Sequence, residues 1–359
     1  MSGPQVDVAA PVDESGASYE RMKRAGINMK IPPQAWMDMA NIRRRYDVVF
    51  DADSDAAACA ANKSMTVTRK SLADAPNLRL VAFYTVGYDN IDLDAATEQG
   101  VLVVHSPTES NWGGVAEGTV ANILTVLKKA REKDSFIKAG GWRDRSLQGQ
   151  YVGPRQIDNY PGLTFGIIGL GRIGGRVADL LAPWRMRLIG YDPYADDSLF
   201  VHHNVHRVDL DTLLKQSDVV TIHCNLTKET HKLIGASQLA LMKKTALLAN
   251  HARGNIVDID ALADALDADR IAAAILDVLP EEPPPAELRF LKMGDKVLLS
   301  PHMVSNNVGS GLAIAAPWVE QAIYDALSGK IPKHVVNPEI IPRWLERFGG
   351  KDLLTAAAA

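Results

Sequence analysis

Arg253, Glu282 and His302 are side chains whose types, taken together, suit the reduction of a carbonyl that stands beside a carboxylate. Such a reaction needs a fixed cation to hold the carboxylate and polarise the carbonyl, and Arg253 offers a permanent charge on a planar fork. It also needs an acid for the developing alkoxide. A histidine is the usual acid near neutral pH, and a nearby carboxylate favours its charged form, so His302 and Glu282 make a natural pair. Each has a plainer reading alone: a solvated arginine, a loop carboxylate, a structural histidine. Their placement changes the weighing. They lie in three loops, Asn250-His251-Ala252-Arg253-Gly254-Asn255, Asp277-Val278-Leu279-Pro280-Glu281-Glu282-Pro283 and Ser300-Pro301-His302-Met303, and an apolar run precedes each loop.

A second constellation supplies a place for a redox cofactor. Gly169, Gly171 and Gly174 stand in G-x-G-x-x-G spacing within Phe165-Gly166-Ile167-Ile168-Gly169-Leu170-Gly171-Arg172-Ile173-Gly174, after an apolar run and at the start of a helical pattern. Gly169 permits a tight turn, Gly171 lets the backbone approach a pyrophosphate, and Gly174 lets helix and strand pack closely. The N–H groups at the helix start, from Arg172 and Ile173, then face the pyrophosphate charge. About twenty residues on, Leu188-Ile189-Gly190-Tyr191 ends at Asp192, where a carboxylate receives the ribose hydroxyls and repels a 2′-phosphate. Pro193-Tyr194-Ala195 follow, with no arginine for that phosphate, so the pattern favours NAD over NADP.

The elements that must hold these loops are legible as alternating runs. Apolar stretches at 164–168, 187–192, 218–223, 245–250, 271–276 and 296–300 read as strands covered on both faces, with helical stretches at 173–181, 210–215 and 261–266 between them. This is a doubly wound α/β sheet, and ligands bind at the carboxyl ends of such strands, where all three loops lie. An earlier block repeats the alternation. Strand signals occur at 46–50, 78–83 and 101–104, with a helix ending at Gly100 and an ambiguous small-residue stretch at 56–61. The first twenty residues read as a loosely ordered arm. A helix is expected over 113–133, with Val120, Ile123, Leu124 and Leu127 on a face that suits either a two-fold interface or the core. Another is expected over 309–328, and the chain after it is expected to return to the first block.

Composition narrows the classes of function. The 359 residues are 47% hydrophobic and 23% charged with net charge −4, which offers no electrostatic reason for nucleic acid or an acidic membrane as partner. No apolar run approaches the roughly 20 residues needed to span a bilayer, and no secretory signal opens the chain. Cys59 and Cys224 are far apart in apolar contexts. They read as small buried hydrophobes in a reducing cytosol, forming no disulfide framework and no metal-ligand pair, and no metal is expected.

These motifs, in this order, resemble the D-isomer-specific 2-hydroxyacid dehydrogenases, including phosphoglycerate dehydrogenase. The resemblance runs from Leu78-Arg79-Leu80-Val81 and Gly87-Tyr88-Asp89-Asn90-Ile91-Asp92, through Val115-Ala116-Glu117, to Ser300-Pro301-His302. It implies an α/β fold in which a Rossmann dinucleotide-binding domain, residues 111–305, is inserted in a smaller flavodoxin-like parallel α/β substrate domain, residues 1–110 and 306–359. The active site is then expected in the cleft between them. By motif position Arg253 binds substrate, His302 is the acid/base, and Glu282, immediately before Pro283, is its carboxylate partner. Val86 and Gly87 grip the substrate carboxylate. Asp277 holds the nicotinamide carboxamide, and Asn225 and Ala252 join the cofactor set.

The implied activity is NAD-dependent interconversion of a small 2-oxo acid and its D-2-hydroxy acid, in a cytoplasmic homodimer. Formate dehydrogenases of the superfamily carry glutamine in place of the glutamate, which argues against formate. The chain departs from the family at Thr85 (often glycine), His251 (usually threonine), Asn225 (usually proline), the run Met303-Val304-Ser305-Asn306-Asn307, and Trp112. Two alternatives use the same scaffold: an imino-acid reductase giving D-amino acids, to which the polar His251 and Asn225 lend some support, and a nucleotide-sensing protein of the corepressor kind.

Overall fold

Apolar runs bounded by turn residues fold into two parallel sheets in this computed structural model, which describes residues 3–9, 11–32, 49–50, 53–62, 65–308 and 312–354. The chain divides into two units, residues 1–111 with 307–359, and residues 112–306.

In the second unit the strands are β6 (Thr164–Ile168), β7 (Arg187–Tyr191), β8 (His206–Arg207), β9 (Val219–Ile222), β10 (Leu247–Asn250), β11 (Ala273–Leu276) and β12 (Val297–Leu299), in the order β12-β11-β10-β9-β6-β7-β8. Successive side chains alternate faces, and both faces are covered. Leu247 and Ala249 join one core cluster with Phe165, Ile167, Val177 and Leu181, whereas Leu248 joins another with Ile168, Val220 and Leu262. That is why the strands read as unbroken apolar runs. The chain enters at β6, moves outward to β8, then returns across β6 to β9. The switch point therefore lies between β6 and β9, and it opens a crevice at their carboxyl ends.

One strand of this unit was not expected, and one expected helix needs correction. β8 carries only exposed His206 and Arg207, so no apolar signal marks this edge strand. The helix expected over 113–133 is two helices, Glu109–Leu127 and Ala130–Lys138. Lys129 between them takes a left-handed φ of 51°, so the helical hydrogen-bond ladder cannot run through it. The apolar face of the first helix is core: Ala116, Ile123, Val126 and Leu127 pack with the sheet.

The first unit holds β1 (Gln5–Val8), β2 (Asn28–Lys30), β3 (Ala56–Ala61), β4 (Leu80–Phe83) and β5 (Leu102–Val104) in the order β2-β1-β3-β4-β5, all parallel. The N-terminal stretch is therefore not a loose arm. β1 pairs on both sides, and a helix follows it at Ala17–Arg24. Its run is too short and mixed to stand out, because buried Asp7 interrupts it; the carboxylate accepts hydrogen bonds from Gln5 Nε2 at 2.8 Å and Asp53 N at 3.1 Å.

The small-residue stretch at 56–61 is a central strand, buried at all six positions. Of the strand signal at 46–50, residues 46–48 lie outside the described residues, and Val49 makes a single bridge to Thr66. Likewise 309–311 fall outside, and the expected last helix is a 3-10 turn at Leu312–Ala315 followed by Ala316–Leu327. The chain beyond it does return. Trp344 is fully buried and donates to the Arg79 carbonyl at 2.9 Å, and residues 334–337 border β5, with Val336 N donating to the Val103 carbonyl at 2.8 Å. Among the described residues no helix is long and apolar enough to cross a membrane.

Candidate active site

The glycine turn follows β6 and leads into the helix Arg172–Leu181. Gly169 has a φ of +90°, and a Cβ there would lie 2.6 Å from the Cys224 amide nitrogen, so the turns after β6 and β9 touch at the switch point. A Cβ on Gly174 would lie 2.1 Å from the Gly169 carbonyl, which makes that glycine a packing requirement. Gly171 is different: a Cβ there would meet nothing within 4 Å. Space opens above it, and no side chain caps the helix that starts at Arg172 and Ile173. An open cradle at an uncapped helix N-terminus fits a pyrophosphate.

Asp192, one residue past β7, is half-buried and partly engaged by backbone. It accepts from Leu170 N at 2.9 Å, Tyr194 N at 3.0 Å and Ala195 N at 3.1 Å. An arginine from another strand does lie against the turn after it, which the residues next to Asp192 could not reveal. Arg207 of β8 donates to the Asp192 carbonyl at 3.0 Å and the Ala195 carbonyl at 3.1 Å, and its guanidinium pairs with Asp197 at 2.5 Å. Its charge is thus already neutralised by a carboxylate.

The three chemistry-bearing loops are tied to one another. After β10, buried Asn250 accepts from Ala252 N at 3.1 Å and donates to the Arg253 carbonyl at 2.9 Å, which folds the loop that carries Arg253. The Arg253 guanidinium donates to the Ala252 carbonyl at 2.7 Å. Gly254 rests against the next loop, since a Cβ there would lie 2.0 Å from the Leu279 carbonyl carbon. In that second loop the Glu282 carboxylate accepts from Leu279 N at 3.0 Å and meets His302 Nδ1 at 2.6 Å. Glu281 is exposed. The imidazole and carboxylate side chains are 27% and 25% accessible, open enough to reach a ligand and covered enough to feel each other.

Asp277, directly after β11, is buried and serves the third loop. Its carboxylate accepts from the Ser300 hydroxyl, from Met303 N at 3.0 Å and from Val304 N at 3.3 Å, while its carbonyl accepts His302 N at 2.9 Å. It therefore anchors the loop that presents His302, and Asn250 plays the matching part for Arg253. Asn250 looks like any polar residue after a strand in the sequence, and neither its burial nor its two bonds can be read there.

Two further histidines lie at these strand ends. His223 follows β9 and His251 follows β10, and burial pushes their rings down to about 3 and about 4, so both are neutral. His251 Nε2 accepts from Asn122 Nδ2 at 3.2 Å, which leaves the ring proton on Nδ1; that atom, like His223 Nδ1, has no partner among the described residues. Asn225 is exposed, and its carbonyl accepts from the Thr230 hydroxyl at 2.6 Å. Cys224 is half-buried rather than buried, and its surroundings raise the thiol to about 11. Among the described residues no group of three or more metal-ligating side chains is assembled.

Val86 and Gly87 belong to the first unit, in the turn after β4. There the Thr85 hydroxyl donates to the Gly87 carbonyl at 2.5 Å, and His105 Nδ1 meets the Val86 carbonyl at 2.8 Å.

Comparison with known proteins bears on this geometry. Residues 120–304 match the family model described as D-isomer specific 2-hydroxyacid dehydrogenase, NAD binding domain. The chain is 38% identical to a glyoxylate reductase of Thermofilum pendens, over 95% of this chain and 96% of that protein. It is 37% identical to a D-3-phosphoglycerate dehydrogenase of Methanocaldococcus jannaschii, over 82% of this chain and 54% of that longer protein. Among solved structures, a D-lactate dehydrogenase from Aquifex aeolicus, complexed with NAD and lactic acid, superposes with a TM-score of 0.75 at 25% identity, covering 94% of this chain and 98% of that one.

Proposed function

The chain belongs to the D-isomer-specific 2-hydroxyacid dehydrogenase family, and from that premise we propose that it reduces a small 2-oxo acid with NADH, giving glycolate from glyoxylate, the foremost substrate, and the D-2-hydroxy acid wherever C2 becomes a stereocentre. The observation that carries this reading is the 2.6 Å contact of His302 Nδ1 with Glu282, on loops that Gly254 and Asp277 lock to the loop of Arg253.

The dinucleotide, when bound, supplies the hydride that goes to the acid's C2. Gly171 and the Arg172 and Ile173 amides would hold its pyrophosphate, and Asp192 its ribose; Asn225, Ala252 and Asp277 complete the proposed cofactor set. Arg253 holds the substrate carboxylate and draws charge from the carbonyl. Val86 and Gly87 are proposed to bind the same carboxylate through their backbone. His302 gives its proton to the developing alkoxide through Nε2, because Nδ1 is committed to the Glu282 carboxylate. In the reverse direction the same nitrogen accepts the proton. Positioned proton transfer of this kind contributes about 10²–10⁴-fold. The neutral His223 and His251 cannot serve as that acid at neutral pH.

The partner we propose for the chain itself is a second copy. Segment 137–157 displays Ile137, Trp142, Tyr151 and Ile157 to solvent, an apolar surface suited to burial, and light scattering is expected to give twice the chain mass.

The direct test is oxidation of NADH, and separately NADPH, over a panel of 2-oxo acids that includes glyoxylate, hydroxypyruvate and pyruvate. At least one acid should drive NADH oxidation, faster than NADPH. Binding of NADH without turnover on any acid, with or without ammonia or methylamine, would sink the reading.

A further inference from the structure

The Val86–Gly87 turn is held more tightly than a surface turn requires. The carbonyls of Thr85, Val86 and Gly87 each have a donor: Ser106 N at 3.1 Å, His105 Nδ1 at 2.8 Å and the Thr85 hydroxyl at 2.5 Å. A carbonyl only accepts, so His105 carries its proton on Nδ1. The Val86–Gly87 peptide is trans and planar, so fixing the Val86 C=O also fixes the Gly87 N–H, which points the opposite way. His105 is itself held in place. Its ring meets Tyr88 edge-on at 5.8 Å and 88°, and His334 at 6.2 Å and 80°. His334 lies flat on Trp318 at 5.0 Å and 18°. Residue 334 is placed there because residues 334–337 border β5, the strand that His105 follows.

We propose that His105 is a positioning residue for substrate binding: it orients the Val86–Gly87 peptide so that the Gly87 N–H meets the carboxylate of the 2-oxo acid. This rests on the reading of that turn as a carboxylate grip. His105 touches neither substrate nor cofactor in this account. Its effect is on affinity for the acid, exerted through one peptide plane.

The test compares His105→Ala, His105→Asn and Gly87→Pro with the wild-type protein on glyoxylate, or on whichever 2-oxo acid it consumes, with NADH affinity read separately by fluorescence. Loss of one oriented hydrogen bond to a charged group should raise KM about tenfold in His105→Ala, with kcat and the NADH Kd within about threefold. Asparagine carries an N–H donor at the same δ position as the imidazole nitrogen, so His105→Asn should recover most of the lost KM. A KM in His105→Ala equal to wild type overturns the proposal. So does a joint loss of kcat, NADH binding and KM that asparagine does not recover, which would mark a merely structural role. Gly87→Pro removes the amide itself and separates the two levels. If it leaves KM unchanged, the turn does not hold the carboxylate and the grip falls. If it raises KM while His105→Ala does not, only the role of His105 falls.

Discussion

His302 and the pair His223 and His251 stand on loops at the carboxyl ends of one sheet, but their surroundings prepare them for opposite tasks. His302 keeps about a quarter of its side chain accessible and has a carboxylate, Glu282, against Nδ1. His251 is buried and His223 half-buried, each with one ring nitrogen unpartnered among the described residues; loss of hydration holds both neutral, helped in His223 by the neighbouring His251, although Asp277 pulls His251 the other way. Residue type and position after a strand do not make an acid. A partner of opposite charge and a path to the ligand do, and burial without them produces a neutral filler.

Exchanging the residues on which this contrast depends gives graded outcomes. His302→Gln should lower kcat/KM by about 10²–10⁴-fold, whereas His251→Gln should stay within about tenfold, both read in steady-state NADH oxidation. Equal losses in the two would erase the distinction. Arg253→Ala removes the cation two residues from His251 and should cost about 10²–10³-fold, spread over KM and kcat, because the charge acts on bound acid and transition state alike. Glu282→Gln keeps the shape but removes the carboxylate that meets His302 Nδ1 at 2.6 Å, and kcat/KM should fall about tenfold in the same assay. An unchanged kcat/KM would remove Glu282 from the proton path.

The smallest effect concerns stability. The folded-state value of His251, about 4, lies below its ordinary 6.5, so between them the unfolded chain binds more protons. Stability should therefore be level above pH about 6.5 and fall on acidification towards about 4, by up to about 3 kcal/mol from His251. Melting temperature against pH should show a gentler slope in His251→Gln than in wild type.

What could be read from the residues follows the same division between pattern and surroundings. The second unit's sheet was legible because strands covered on both faces leave apolar runs, and Gly169 and Gly174 announce a turn that only glycine fits. β1 was not, because backbone pairing on both sides carries a strand with only Val6 and Val8 to mark it. Arg207 lies fifteen residues from Asp192 in sequence and beside it in space, and only the pairing of β7 with β8 brings them together. The loops that bear Arg253, Glu282 and His302 were legible by type and order. Their bracing by Asn250, Gly254 and Asp277 was not, since it depends on which polar atoms find each other inside the fold.

The measurement that tests the central claim most directly is the product formed with NADH carrying deuterium at both C4 positions, from a C2-substituted 2-oxo acid that supports turnover and from glyoxylate. The account predicts a D-2-hydroxy acid bearing one deuterium at C2 from the substituted acid, and singly deuterated glycolate from glyoxylate, in the wild type, and their near absence in His302→Gln. An L-isomer, an unlabelled product, or full activity without His302 would contradict it.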